Sequence, residues 1–394
     1  MTESTAVSRR ILDLIFESLD VPTSYYQKAA NRYRSVGEWL HRDGSAVAGL
    51  APEVFPQGSF RYGTVIKPIT EGGVFDLDMA CQVNLSKSNY TQEQIKELLG
   101  GEIASYARAQ SFKEKPEAKH RCWRLHYADE VGFHMDVVPC IPESPDFIQA
   151  LMSVGVPEKW ATMAIAITDD RHQNFKLIDP DWPSSNTEGF AEWFFQRMKT
   201  VGPEKLIKIA SDRKVASIDD VPANEWKTPL QRAVQVLKRH RDMVFKDQED
   251  LRPVSVLITT LAALAYGGEA DLFQALDGIL TRMPGLIRPE APRVPNPLNP
   301  KEDFTDRWEK DHRLEKSFRL WVARAKTDLD ALSGDLDDLA MTDLLGKEFG
   351  IKVNDDLRKS MIAAGWNMSR GSATVATAPA IHIHQAAQPW SRRR

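Results

Sequence analysis

Three cysteines in 394 residues are too few for a disulfide framework, and Cys81, Cys122 and Cys140 lack the close spacing of a metal site. They read as core residues in a reducing cytoplasm. No apolar run is long enough to cross a bilayer. The longest, around residues 254–266, reads as a buried helix ending at Gly267 and Gly268. The N-terminus carries no apolar signal region. Basic charge is not in excess: 51 Lys and Arg stand against 55 Asp and Glu, a net charge of -4. A dedicated duplex binder is usually basic. These absences point to a cytoplasmic protein acting on small ligands, with no membrane and no obligatory nucleic acid. The length allows a large core and two lobes.

What the chain does have is concentrated between Gln57 and Met79, QGSFRYGTVIKPITEGGVFDLDM. A Gly58-Ser59 turn is followed by Asp76-Leu77-Asp78 on a strand introduced by the Gly72-Gly73 turn. Alternate strand side chains share a face. Val74, Asp76, Asp78 and Ala80 therefore line one side, and Phe75, Leu77, Met79 and Cys81 the other. The second set packs on a core and the first carries charge into a cleft. Two such close carboxylates repel, and one protonates unless a cation holds them. A divalent metal relieves that repulsion and handles phosphates. The plainer alternative is an exposed strand with two solvated aspartates; it fits poorly with a strand that is apolar on its other side.

A third carboxylate lies in GFHMDVVPC. Phe133, Met135 and Val137 form one face of a strand, and His134, Asp136 and Val138 the other. An aspartate among such neighbours is costly without a partner; the plainer alternative to a metal is a buried aspartate satisfied by backbone or a salt bridge. His134 reads as a packing or hydrogen-bonding residue. Three carboxylates on adjacent strands make a two-metal phosphoryl-transfer site, with Mg²⁺ or Mn²⁺ as the ions. Asp76 and Asp78 would bridge both ions. Asp136 would contact the ion nearer the nucleophile and accept its proton. Gly58 lets backbone approach a phosphate, Ser59 offers a hydroxyl at a helix N-terminus, and Gln57 and Thr64 add polar contacts.

Helices are expected over residues 8–19 and 24–42, the second as a spine behind the sheet, and from Tyr90 onward with a break at Gly100-Gly101. The runs WRLHYAD and VGFHMDVVP read as a hairpin leading to Asp136. Residues 187–280 read as mostly helical, apart from a loop near 211–222. Residues 284–300 contain six prolines; they cannot be helix and are expected to wrap the surface between lobes. A long charged helix is expected from about 302 to 333. The division is 1–200 for N-terminal helices and catalytic core, 201–366 for a helical lobe, and 367–394 for a flexible tail. His382 and His384 in that tail lack the further ligands of a metal site.

The order of segments resembles the cGAS/DncV-like nucleotidyltransferases of bacterial CBASS anti-phage systems, within the DNA polymerase β superfamily. QGSFRYGT and FDLDMACQV are similar to the family's opening motif and HMDVVPC to its third-aspartate strand. DPDWPSSNTEGFAEWF, LQRAVQVLKRHRD, SVLITTLAALAY and NPLNPKEDFTDRW continue the resemblance, which covers roughly residues 50–310. It implies an α+β fold with a polymerase-β-like core of mixed sheet and helices, a C-terminal helical lobe and a cleft between them. It implies a synthase that joins nucleoside triphosphates (ATP, with GTP, UTP or CTP as further candidates) into a cyclic di- or trinucleotide and releases pyrophosphate. It also implies that Lys238 and Ser255 contact the donor triphosphate, and that the C-terminal tail is a place for regulatory protein partners. Arg239 and Arg241 read as solvent-facing or structural. Two other functions share the motif: a nucleotidyltransferase modifying RNA ends or another hydroxyl acceptor, and a catalytically silent nucleotide- or RNA-binding sensor. A basic RNA path would favour the first and a lost carboxylate the second; the sequence shows neither.

Overall fold

A computed structural model describes residues 6–70, 72–127, 132–199, 227–332 and 338–363. The loop expected near 211–222 and the tail from 367, with His382 and His384, lie outside the described residues. The architecture is α+β: a mixed sheet backed by helices, and a C-terminal helical lobe.

Five strands run in the order β1 (Glu53–Gln57), β2 (Phe75–Gln82), β5 (Phe133–Pro142), β4 (Trp123–Tyr127), β3 (Glu117–Ala118). Only β2 and β5 are parallel within this path. β6 (Ile165–Ile167) extends the far half of β5, and β7 (Ser184–Ser185) pairs with β6. The alternation read from sequence is present in β2. Leu77, Met79 and Cys81 are fully buried, while Asp76 is exposed. Each fully buried Leu, Val or Met contributes about 1.5–3 kcal/mol by leaving water. The buried face meets α2 (Thr23–His41) through Tyr26, Tyr33 and Val36, and α4 (Gln92–Ala109) through Ile95, Leu99 and Ile103. That backing makes the sheet a firm platform and leaves its polar face for chemistry.

α4 starts with a capping box, Thr91 and Gln94 each bonding the other's backbone N–H. It does not break at Gly100-Gly101, contrary to the sequence expectation. Gly100 is there for proximity: a Cβ would lie 2.4 Å from the Trp123 ring on β4. Gly101 faces solvent with nothing within 4 Å.

The helical lobe contains α8 (Pro229–Val244), α9 (Ser255–Ala265), α10 (Leu272–Arg282), α11 (His312–Leu332), α12 (Asp338–Phe349) and α13 (Asp355–Ala363). Its core also takes in α1 (Ala6–Leu19), by Ile11 and Ile15, and α7 (Thr187–Met198), by Phe190 and Phe194. The long charged helix starts at His312, about ten residues later than expected from the sequence. The preceding residues form a hairpin of β8 (Pro295–Asn296) and β9 (Asn299–Asp303) instead. Asp303 organises it, accepting bonds from the backbone N–H groups of Arg293, Val294 and Thr305. The proline-rich run does not merely wrap a surface: Val294 and Leu298 are buried in the helical-lobe core.

Gly100→Ala gains up to about 1 kcal/mol of helix propensity but forces a methyl into Trp123, which costs about 1–3 kcal/mol. It should lower the melting temperature, whereas Gly101→Ala should raise it. Paired thermal unfolding curves test this, and the same sign for both variants would rule out the contact as the reason for Gly100.

Candidate active site

The polar face of the sheet is fixed by strand register. Gln57 on β1 stands opposite Asp78 on β2, Asp78 beside Asp136 on β5, and Asp136 opposite Arg124 on β4. Asp76 lies beside His134 in the next row, with His134 Nδ1 3.8 Å from its Oδ1. The rings of His134 and His126 meet edge to face, 4.6 Å between centroids. The three carboxylates therefore share one face of two parallel strands.

α3 (Gly58–Tyr62) brings the Gly-Ser turn onto this face. Phe60 plugs it into the core against Tyr26, Phe75 and Phe133. Gly58 has φ +71, and a Cβ there would lie 2.3 Å from Asp78 Oδ2. The glycine thus lets the backbone pass over a carboxylate. Ser59 sits in the first turn of α3, and its carbonyl accepts from the N–H of Thr64.

α8 closes the opposite side. A capping box of Thr228 and Gln231 starts it, with Pro229 in its first turn. Gln231, Gln235, Lys238 and Arg239 donate to the backbone carbonyls of Tyr62, Val65, Thr64 and Lys67 at 2.7–2.9 Å. Lys238 is therefore buried against the segment that follows α3. Ser255 is the first residue of α9, and its side chain does not cap the helix; its hydroxyl accepts from Arg241 Nη1 at 2.9 Å. Arg239 and Arg241 are both buried and structural, not solvent-facing.

Gln57, Gly58, Ser59, Thr64, Asp76, Asp78, Lys238 and Ser255 line a single cleft of about 830 Å³ between sheet and helices. Asp136 stands just beside it. Both of its oxygens accept from Arg124, Nε to Oδ1 and Nη2 to Oδ2, each at 2.7 Å. Arg124 is the residue that sequence reasoning missed. Its period-two relation to His126 was readable, but the pairing register that sets it against Asp136 was not.

The electrostatics report an uncompensated site. Burial, reinforced by Asp136 and Asp76, pushes the Asp78 carboxyl up to about 7. Burial also raises Asp76, against the pull of Arg124. Burial and the neighbouring Arg241 push the Lys238 ammonium down to about 7. A surplus of carboxylate oxygens beside this cleft fits a hard divalent cation; Asp76 and Asp78 are the residues open to hold it. Another grouping, His240, Asp328 and Glu348, has donor atoms within 4.8 Å of one another. It is a protein network instead. Trp321 donates to His240 Nδ1 at 3.0 Å, so Nε2 carries the proton and points at Asp328, 3.0 Å away. Arg324 pairs with both carboxylates.

Residues 52–139, which hold the three aspartates and the Gly-Ser turn, match the family model for the nucleotidyltransferase domain of DncV-like cyclic GMP-AMP synthases. That segment is thus similar to a DncV-like nucleotidyltransferase domain. The chain is 28% identical over 310 residues to a c-di-GMP synthase of Roseivirga ehrenbergii, covering 78% of this chain and 74% of the relative. It is 24% identical over 358 residues to the cyclic dinucleotide synthase CdnG of Bradyrhizobium diazoefficiens, covering 85% and 79%. The fold agrees: the structure of that CdnG in complex with GTP superposes with a TM-score of 0.65 at 21% identity, over 91% of this chain and 99% of that one.

Two measurements follow from this geometry. Gly58→Ala should cost about 1–2 kcal/mol in left-handed backbone strain and displace Asp78, so a melting experiment should show destabilisation along with weaker Mn²⁺ binding. Below about pH 7 a cation must displace the Asp78 proton, so Mn²⁺ affinity should rise with pH and level off above about 7. The linkage sign for the metal-free protein is opposite. A raised carboxyl contributes stability fully present below its ordinary value of 3.8 and lost as pH rises through about 7. Calorimetric Mn²⁺ titrations across that range test the first; an affinity independent of pH would remove Asp78 from the ligand set.

Proposed function

We propose that this protein is a nucleotidyltransferase, a cyclic dinucleotide synthase that takes nucleoside triphosphates, GTP among them, and releases pyrophosphate. The observation that carries this reading is one cleft lined by two same-face carboxylates, a close-approach glycine and a buried lysine, with a third same-face carboxylate, Asp136, beside it. The two relatives above, both dinucleotide synthases by name, support a dinucleotide over a trinucleotide.

In this reading two divalent ions, Mg²⁺ or Mn²⁺, would activate the attacking hydroxyl and offset charge on the leaving pyrophosphate. Asp76 and Asp78 would hold them, and Asp136 would join on the acceptor side. The acceptor hydroxyl oxygen forms a bond to the donor α-phosphorus, the bond to the bridging α–β oxygen breaks, and the hydroxyl proton passes to Asp136. A second transfer of the same kind closes the ring. Ser59, with the Gly58 backbone, faces the donor phosphates. Lys238 supplies a cation once a triphosphate arrives, because the phosphate charge favours its protonated form. Ser255 is held towards the cleft by Arg241. Anti-phage signalling, by a product that activates a separate effector, is the cellular role consistent with this chemistry.

The test is direct. Purified protein with labelled nucleoside triphosphates and Mg²⁺ or Mn²⁺ should give a phosphatase-resistant cyclic product, identified by mass spectrometry. Asp76→Asn and Asp78→Asn should each reduce it by about a hundredfold to a thousandfold, the scale on which removing one essential polar group acts, without loss of fold. No turnover under any metal and nucleotide combination would overturn the assignment.

A further inference from the structure

The three carboxylates are not equally available. Among the described residues, Asp78 makes no side-chain hydrogen bond or ion pair, and Asp76 has only the 3.8 Å approach of His134. Asp136 is engaged at both oxygens by a parallel two-bond fork from Arg124 at 2.7 Å. Such charge-assisted forks are the strongest side-chain pairs available. The pair is only partly exposed, 24% for Arg124 and 18% for Asp136, so solvent screens it incompletely. A cation seeking Asp136 must share the carboxylate with a guanidinium of like charge.

We propose that Arg124 is a positioning residue that keeps Asp136 closed to divalent cations until a nucleotide phosphate draws the guanidinium away. Phosphate is the class of ligand that can do this, because it offers the same two-oxygen geometry as a carboxylate. Cation binding would then be ordered: the open Asp76–Asp78 pair first, Asp136 only with nucleotide present. This ordering would keep the second cation from binding before substrate arrives. It rests on the metal-dependent reading above and adds a function for a residue outside the three carboxylates.

The test is Mn²⁺ binding by the full chain without nucleotide, followed by electron paramagnetic resonance and calorimetry. Wild type should bind one Mn²⁺ per chain, and two when a non-hydrolysable GTP analogue is added. Arg124→Gln should bind two without the analogue, the second at least tenfold more tightly than wild type does. Arg124→Lys, which keeps the charge but loses the fork, should fall between them, and it decides the matter should Arg124→Gln fail to fold. An arginine with a merely structural role would leave Mn²⁺ affinity unchanged or weaken it; either result overturns the proposal. Wild-type Mn²⁺ binding with no effect of Arg124 refutes the gating alone. No Mn²⁺ binding by wild type, with or without analogue, refutes the metal-dependent reading as well.

Discussion

Repulsion among Asp76, Asp78 and Asp136 is the constraint around which the rest is arranged. Parallel pairing of β2 and β5 puts these side chains on one face, and a fully packed apolar layer behind them prevents the strands from turning away. The fold concentrates negative charge where water is partly excluded, and that raises the energy of the ionised state. Three neighbours moderate it. Gly58 yields space so that Asp78 can remain beneath the α3 turn. Arg124 neutralises Asp136. Lys238 adds positive potential from the far wall of the cleft.

The last of these depends on how α8 is attached. Its four side-chain donors, at positions 231, 235, 238 and 239, follow the i, i+4, i+7, i+8 pattern of one helix face. Apolar residues usually make such a stripe. Here polar side chains bond backbone carbonyls between residues 62 and 67, a segment that pairs with no strand among the described residues. The helical lobe is thereby fastened to the turn that carries Gly58 and Ser59. Lys238 belongs both to this attachment and to the cleft. Without ligands, Asp78 and Lys238 each sit near pH 7 for the loss of charge. A cation on one side and a triphosphate on the other would fix both in their charged forms, so each ligand prepares the site for the other.

The strands and the sites on them were legible because their signal is local. Period-two alternation in FDLDMAC and FHMDVVP gave the face of each aspartate, and the turn glycines marked where strands begin. Helix boundaries failed where tertiary contact decided them. Gly100-Gly101 looks like a helix breaker until Trp123 is seen to need the space. The stretch after residue 300 looks helical until Asp303 is seen gathering three backbone donors. Arg124 was hidden for a related reason: its importance comes from cross-strand register, which pairs residues 12 positions apart through a hairpin of unknown turn length. Ser255 opens α9, but its tie to Arg241 depends on how α8 and α9 cross.

The buried network around His240 completes the account of why α8 stays in place. His240 follows Lys238 by two residues and faces away from the cleft, fully buried. Its two ring nitrogens are used in opposite senses, accepting from Trp321 on α11 and donating to Asp328 on the same helix. Arg324 extends the contact to Glu348 on α12. Such a network is directional, whereas the surrounding apolar contacts are not. It fixes the rotation of α8 about its own axis, and that rotation decides whether Lys238 meets Thr64 or misses the cleft. A buried histidine in the helical lobe thus acts on the Lys238 wall of the cleft through geometry alone.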